Sequence, residues 1–447
     1  MTTHQYPLPI LILTVSLALA QPKVGKIKIG PATAAVLGAI LTIITGALPP
    51  ESLYRALSVL SYPVVVIISL MILTLIADQA GLFELLAHSI ARVAKGDGRK
   101  LFTYIFIAGT VTGAVFTNDA AVLIFTPLVY ELIEEVKEES WGPSSKIPYY
   151  FAVLYVANLV GAFTISNPIN IIVASFFNVS FLEYAKWMVF PAVVSMVSSY
   201  WGLRIFFNGS IPVRFRFANV PRAPKSRSFM ALSGIVLFFT LLGFFVGNFI
   251  GVATWAIALT GALTLLVLSG LVEGADNLQI VKGIGWDVII FVIGIFIVVS
   301  GLRNAGLTNQ IETFLVYLAG SSFFTLTMMN GFVATICSSV MNNHPTAYAM
   351  ALAIEDLPLH YAPAVEMFTR KMLVFSSLIG GDLGPKMLPI GSLAALLWFR
   401  ILKNKGVHIP YSLYIKIGIP VTLAAVFLSV LALNLEIAAA RFFSFPP

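Results

Sequence analysis

Two short polar clusters interrupt an otherwise apolar chain, and both recur in its second half. Asn118-Asp119 is answered by Asn342-Asn343, and Asn158 by Asp382, so the separation between the clusters is the same each time. Lipid offers no hydrogen-bond partner, so amides and carboxylates persist at membrane depth mainly where they line a site or satisfy one another. A duplicated membrane chain brings such groups to the interface of its repeats.

Composition fixes the class. Of 447 residues, 58% are hydrophobic and only 11% charged, with a mean hydropathy of +0.93, whereas soluble chains run to about 25% charged. The single cysteine, Cys337, excludes an intrachain disulfide framework and any multi-cysteine metal cluster, and nothing calls for a cofactor. The net charge of +7 comes from basic residues in short loops between apolar stretches. That pattern speaks for membrane orientation and against a nucleic-acid partner.

Apolar spans fall near residues 8-20, 32-48, 58-77, 148-180, 186-207, 229-247, 250-272, 287-303, 372-402 and 411-434. The first ends in Ala18-Leu19-Ala20, like a signal-peptide cleavage site, but Met1 to Pro7 carries no Lys or Arg, so it is counted as a crossing. Each span suits a bilayer crossing. Two further stretches, 101-132 and 322-355, are split by the polar pairs into arms of about fifteen residues, too short to span, and read as re-entrant hairpins.

The expected fold is therefore an all-α polytopic membrane protein of ten crossings in two inverted-topology repeats, each with a re-entrant hairpin and a broken helix. Residues 1-207 form the first repeat, 208-228 a basic linker and 229-447 the second. The broken helices are 148-180 and 372-402.

Charge orients the chain. Residues 203-228 carry six basic residues and no acidic one, which places this linker in the cytoplasm, with the protein in the cell membrane. Counting crossings from there puts twenty of the 27 Lys and Arg inside, six outside, and Lys386 within the membrane. Arg370 and Lys371 then lie at the outer end of a span, where they must snorkel or pair with Glu366. Five crossings per half is odd, so the halves insert oppositely, and the loops agree. Residues 92-100 carry four basic residues and their counterpart 316-324 none, while 400-405 carry three and 176-181 none. Ala80-Gly81-Leu82 and Ala305-Gly306-Leu307, at nearly the same offset as the polar clusters, open matching amphipathic segments.

The hairpin tips are Thr117-Asn118-Asp119 and Asn342-Asn343-His344-Pro345-Thr346. The breaks are marked by Gly161, Ser166, Asn167, Pro168 and Asn170, and by Gly380-Gly381-Asp382-Leu383-Gly384-Pro385 with Pro389-Ile390-Gly391-Ser392. Gly and Pro end helical hydrogen bonding and free backbone groups to hold a ligand. A kinked helix with satisfied polar side chains is the plainer alternative. One cysteine cannot supply the several thiolates that a soft ion would want. The amides, hydroxyls and backbone groups of Thr117, Asn118, Ser166, Asn167, Asn170, Asn342, Asn343, Gly391 and Ser392 instead suit a small neutral polyol as cargo. Cys337 is a candidate for transient contact with that cargo, though a lone membrane cysteine more often packs as a small apolar residue.

Asp119, Asp382 and His344 are the proton-coupling candidates. Lys386 follows Asp382 by four residues and is expected to form an ion pair with it if the helix has resumed, leaving Asp119 to carry the proton. Asp119 has the alternative of capping the second hairpin arm, and His344 that of a hydrogen-bonded tip residue.

LFTYI at 101-105, NDAAVLIFTPLV at 118-129, SNPINI at 166-171, LRNAGLT at 302-308, SSVMNNHPT at 338-346 and above all DLGPKMLPIGSLAALLW at 382-398 carry a resemblance over nearly the whole length. The chain resembles the arsenite/antimonite efflux permeases of the ion-transporter superfamily. The resemblance implies export of trivalent arsenic or antimony, travelling as the neutral trihydroxide with Cys337 as a candidate for transient metalloid contact, driven by protons through movement of a transport domain against a scaffold. It leaves a cytoplasmic ATPase subunit and a homodimer open as partners. The chain departs from the family pattern at Ala120, where Gly is usual, at His344, where Met is, and at Asn158 and Ser175, where acidic residues are.

A sodium/proton antiporter or small-anion carrier of the same superfamily is the alternative function, and a passive channel is another. An intramembrane aspartyl protease fits poorly, because it needs two carboxylates sharing a proton and has no use for Lys386.

Overall fold

The computed structural model describes residues 6–25, 27–136, 142–215, 227–273, 277–319, 322–358 and 363–444, and the side chains of Asp119 and Ala120 lie outside the described set. The protein is all-α, apart from a pair of two-residue strands, Lys23–Val24 and Ile27–Lys28, in the first basic loop. Helices begin on proline at Pro7, Pro31, Pro50, Pro143 and Pro168. Proline lacks the N–H that the first turn leaves unpaired, and its fixed φ suits that position.

Seven helices among the described residues are long and apolar enough to cross a bilayer. Six coincide with sequence-predicted crossings, and the seventh, Phe323–Met341, is the first arm of the second predicted hairpin; at 19 residues it is longer than the arm of about fifteen, too short to span, that the sequence led us to expect, because its helix continues right up to Asn342. The other four predicted crossings take different forms. Two are 14-residue helices, Pro7–Ala20 and Pro31–Ile44, and two are interrupted. Hydropathy averages across such interruptions and reports one span where the backbone makes two or three short pieces.

Local structure recurs along the chain. Helix Pro50–Gln79 ends at Gly81 (φ 80°) and gives way to the 13-residue helix Leu82–Ala94; helix Trp286–Asn304 ends at Gly306 (φ 73°) and gives way to the 13-residue helix Leu307–Ala319. A left-handed residue closing a helix strongly favours glycine, which explains the Ala-Gly-Leu signature. Arms Gly98–Val115 and Asn118–Glu134 meet at Phe116-Thr117, as Phe323–Met341 and Asn343–Asp356 meet at Asn342. The interrupted segments are Pro143–Val156, the 3-10 turn Thr164–Ser166 and Pro168–Phe176; then Pro363–Leu383, turns Gly384–Lys386 and Pro389–Gly391, and Leu393–Asn404.

Close backbone approach fixes how these parts nest. A Cβ on Gly380 would strike the Gly331 carbonyl, and one on Gly391 the backbone of Ser339, so the second interrupted segment lies directly on the first arm of the second hairpin. A Cβ on Gly294 would come within 2.8 Å of Ala35, which seats helix Trp286–Asn304 on Pro31–Ile44.

Polar contacts at the ends of the bundle join segments that the charge count put on one side. Arg400 donates to Gln21 at 2.9 Å, Lys405 lies 3.6 Å from Glu131, and Gly98 N–H donates to the Val213 carbonyl at 3.3 Å. At the opposite end Lys371 pairs with Glu183 at 2.7 Å, Arg303 with Glu355 at 2.6 Å, and Asn304 donates to the Ala47 carbonyl at 3.3 Å. Arg370 pairs with Glu366 at 2.8 Å and donates to the carbonyls of Ile354, Glu355 and Leu357. It thus closes the carboxyl end of helix Asn343–Asp356, where unpaired carbonyls favour a cation. Of the linker 203-228, residues 212–215 lie against the loop at Gly96 to Gly98, with an antiparallel bridge between Asp97 and Arg214. Residues 216–226 lie outside the described set.

Candidate functional site

Asp382, fully buried, is the centre of the polar interior. Its Oδ1 accepts from Asn167 Nδ2 at 2.7 Å, and its Oδ2 accepts from Gly161 N at 2.9 Å and Asn170 Nδ2 at 3.2 Å. All three donors come from the first interrupted segment and the acceptor from the second, so one carboxylate ties the two together. The break makes this geometry available. Gly161 N–H points away from any helix because the chain is non-helical from Asn158 to Phe163, and Asn167 holds an extended backbone (φ −149°, ψ 138°) before Pro168 restarts the helix. Asn167 Oδ1 meanwhile accepts from Ile169 N at 3.3 Å, capping that helix.

A second crossing joins Asn158 Nδ2 to Ser392 Oγ at 3.5 Å, a long contact, while Ser392 caps Leu393–Asn404 by accepting from Ala395 N at 3.0 Å. The preceding Gly391 carbonyl accepts from Asn342 Nδ2 at 3.2 Å. Asn342 sits at φ 79°, an uncommon conformation for a residue with a side chain, held by its own bonds. Its Oδ1 accepts from His344 N at 3.1 Å and its carbonyl from Thr346 at 2.8 Å.

His344 Nδ1 lies 3.1 Å from Asn342 Oδ1 and 2.9 Å from Asn343 Oδ1, with the ring edge-on to Phe291. Two acceptors at Nδ1 put a proton there, which gives this histidine a definite structural use at the tip. Thr117, Asn118 and Ser166 are buried, and Ser166 donates to the Ala114 carbonyl at 3.0 Å. Asn118, Ser166 and Gly161 share the lining of a cavity of about 90 Å³ beneath Thr110 and Gly113. One water needs roughly 10–15 Å³ on the same measure, so several oxygens fit.

The expected ion pair between Asp382 and Lys386 is not made. Lys386, 1% exposed, has no salt bridge among the described residues and no hydrogen-bond partner at Nζ, which lies 4.9 Å above the Tyr155 ring. The spacing of four assumed a helix, but the helix stops at Leu383 and Gly384–Lys386 is a 3-10 turn, in which residues four apart no longer stack on one face. Asp382 is instead satisfied by N–H donors. The Asp119 proton-coupling assignment falls on a side chain outside the described residues.

Cys337 is half-buried between exposed Ile336 and Val340, whereas its neighbour Ser338 faces inward to donate to the Gly381 carbonyl at 2.8 Å. The two residues are about 100° apart on the helix, so the thiol sits to one side of the polar interior. For the carrier expected from the sequence, Cys337→Ser should therefore keep transport within about twofold of wild type, because a swap of near-equal volume at a half-buried position away from the polar interior usually changes little. Initial efflux rates in vesicles check it, and a loss beyond tenfold would put the thiol back in the site.

Ser195, Ser338 and Tyr155 joined the site only in three dimensions. Ser195 accepts from Val160 N at 3.3 Å, steadying the break from a separate helix. One serine among several in an apolar span, with Ser198 and Ser199 close behind it, gives no signal in sequence. Ser338, by contrast, stands inside the SSVMNNHPT run.

Residues 7–437 match the family model described as arsenical pump membrane protein. The arsenical pump membrane protein of Escherichia coli K12 is 33% identical over 96% of this chain and 98% of its own, and that of Yersinia enterocolitica 31% over the same shares. A putative arsenical pump membrane protein of Bacillus subtilis is 24% identical over 87% of this chain and 91% of its own. The crystal structure of the YdaH transporter of Alcanivorax borkumensis superposes with a TM-score of 0.57 at 13% identity, covering 100% of this chain and 99% of that one, a likeness of fold.

Proposed function

Because the chain belongs to the arsenical pump membrane protein family, and is thereby a multi-pass membrane transporter, we propose that it exports trivalent arsenic or antimony as the neutral trihydroxide, coupled to proton entry, by alternating access. The observation that carries this reading is the junction at Asp382, where a carboxylate of one interrupted segment meets Gly161, Asn167 and Asn170 of the other. Beside it lies a cavity of about 90 Å³ lined by Asn118, whose buried Nδ2 has no partner among the described residues. Asn170 Oδ1 is also without a partner among the described residues. Buried polar atoms are nearly always paired, so an unpaired amide lining a cavity, with a second at the neighbouring junction, suits a small polyol cargo. The donors and acceptors on offer are amides, hydroxyls and backbone groups, which match hydroxyls rather than a bare soft metal ion.

Residues 1-207 and 229-447 are, on this reading, inverted repeats, with the linker cytoplasmic and the protein in the cell membrane. The recurrence of the short amphipathic helices, the hairpin arms and the interrupted segments supports the repeat. Contacts of Gly98 with Val213 and of Glu131 with Lys405 at one end, and of Asp356 with Arg303 at the other, support hairpins that enter and leave on the same face. Sodium coupling is less well supported at Asp382, because three N–H donors already take up most of its acceptor capacity.

Uptake of arsenite into everted vesicles, with and without an imposed pH gradient, tests cargo and driving force together. Gradient-independent, non-saturable flux would defeat the carrier. Asp119 is assigned the transported proton, so Asp119→Asn should reduce gradient-driven uptake by about a hundredfold, the scale of removing one proton-transfer group. Uptake that still follows the pH gradient in this variant would leave Asp119 only a capping role.

A further inference from the structure

Helix Pro50–Gln79, the short helix Pro168–Phe176 and the start of helix Thr254–Glu273 enclose a second, larger cavity of about 420 Å³. Its floor is buried: Val66 and Ala174 are 3% exposed, Thr164 and Ile171 6%. Its rim is open, with Ser175 and Asn178 exposed and Tyr62 57% exposed. There Tyr62 and Trp255 stack with ring centroids 5.4 Å apart and planes at 18°.

The position of the floor decides what this cavity is for. Thr164 opens the 3-10 turn whose last residue, Ser166, lines the smaller cavity with Asn118, and the next residue, Asn167, holds Asp382. A single short turn therefore contributes to the lining of both spaces, Thr164 to the larger and Ser166 to the smaller. One wall of the large cavity is the interrupted segment, and the facing walls are long apolar helices, the kind of interface where ligand clefts form. The lining mixes hydroxyls and an amide with apolar side chains. An acyl chain would suit a different place, the predominantly apolar groove lined by Leu86, Val93, Ile107 and Val111.

We infer that this larger cavity is the vestibule through which a small neutral polyhydroxy solute leaves the site, with Tyr62 and Trp255 as its outer cover. Movement of the Thr164–Ser166 turn joins the two spaces. The identity of the solute rests on the function proposed above, but the accessibility of the vestibule does not.

The test uses the full-length protein carrying Cys337→Ser, with Thr164→Cys or, in parallel, Ala174→Cys, in right-side-out vesicles. A membrane-impermeant maleimide added outside should label either thiol slowly. Trp255→Ala should raise the rate about tenfold, the scale of one aromatic contact. Unchanged rates, labelling from the inner face only, or labelling only by a membrane-permeant reagent would each overturn the vestibule. Filling the space with Ala174→Trp in the otherwise unmodified chain should cut efflux at least tenfold, and full efflux in a well-folded variant would count against the proposal. Wild-type vesicles that fail to move arsenite while labelling behaves as described would remove the cargo reading and leave the vestibule standing.

Discussion

Asp382→Ala is expected to abolish efflux, by at least about a hundredfold, and to destabilise the protein. The carboxylate satisfies Gly161 N, Asn167 Nδ2 and Asn170 Nδ2 at once, in a fully buried place. Each orphaned buried donor costs about 1–3 kcal/mol, so even partial relaxation leaves a loss of several kcal/mol. Asp382→Asn should be nearly as harmful, because an amide nitrogen must then face one of the N–H donors. Geometry suggests a rescue. In Asp382→Asn combined with Asn167→Asp the hydrogen-bond polarity between the two side chains reverses. The remaining amide oxygen at 382 still accepts from Gly161 and Asn170, and an oxygen at 167 still caps Ile169. Arsenite efflux and thermal unfolding of the single and double variants measure this. A double variant no better than the worse single one would show that the negative charge at 382, rather than the polarity of the junction, is what matters.

Lys386→Met is expected to act in opposite directions on stability and on transport. The residue is 1% exposed, and its Nζ has no hydrogen-bond partner among the described residues and lies 4.9 Å from the centre of the Tyr155 ring. Burying such a group is costly, and replacing buried charges with apolar side chains of similar volume is often stabilising by about 1–4 kcal/mol. Methionine, unbranched and of similar length, fills the same channel. A protein keeps so unfavourable a residue when its work needs a cation in some state of the cycle. The variant should therefore unfold at a higher temperature and export arsenite at least tenfold more slowly, as the loss of a functional charge costs. Higher stability with undiminished efflux would make Lys386 a bystander. Lower stability would point to a bonding partner that this conformation does not use.

Much of the site was legible because each of its features has a local cause. The Asn118 and Asn342 tips, the Gly-Pro interruptions and their recurrence in the second half are visible because lipid tolerates no unpaired polar group and helices do not survive clustered Gly and Pro. The Gly81 and Gly306 corners could be found for a similar reason, since positive φ selects glycine. Arg370 and Lys371, awkward in a hydropathy reading, find Glu366 and Glu183 at the bundle's edge. Glu183 lies in the opposite half of the chain from Lys371, and no spacing rule reaches that far.

Sequence alone determined the solvent, the helical class and the two places where the chain must break, because these depend on hydropathy and backbone chemistry within a few residues. Tertiary structure alone decided which partner each polar group took. The ion pair expected from a spacing of four gave way to a 3-10 turn, and Asp382 was claimed by three donors from the other half. Hydrogen-bond pairing depends on ångström-scale placement across the fold, and a one-dimensional pattern does not carry that information.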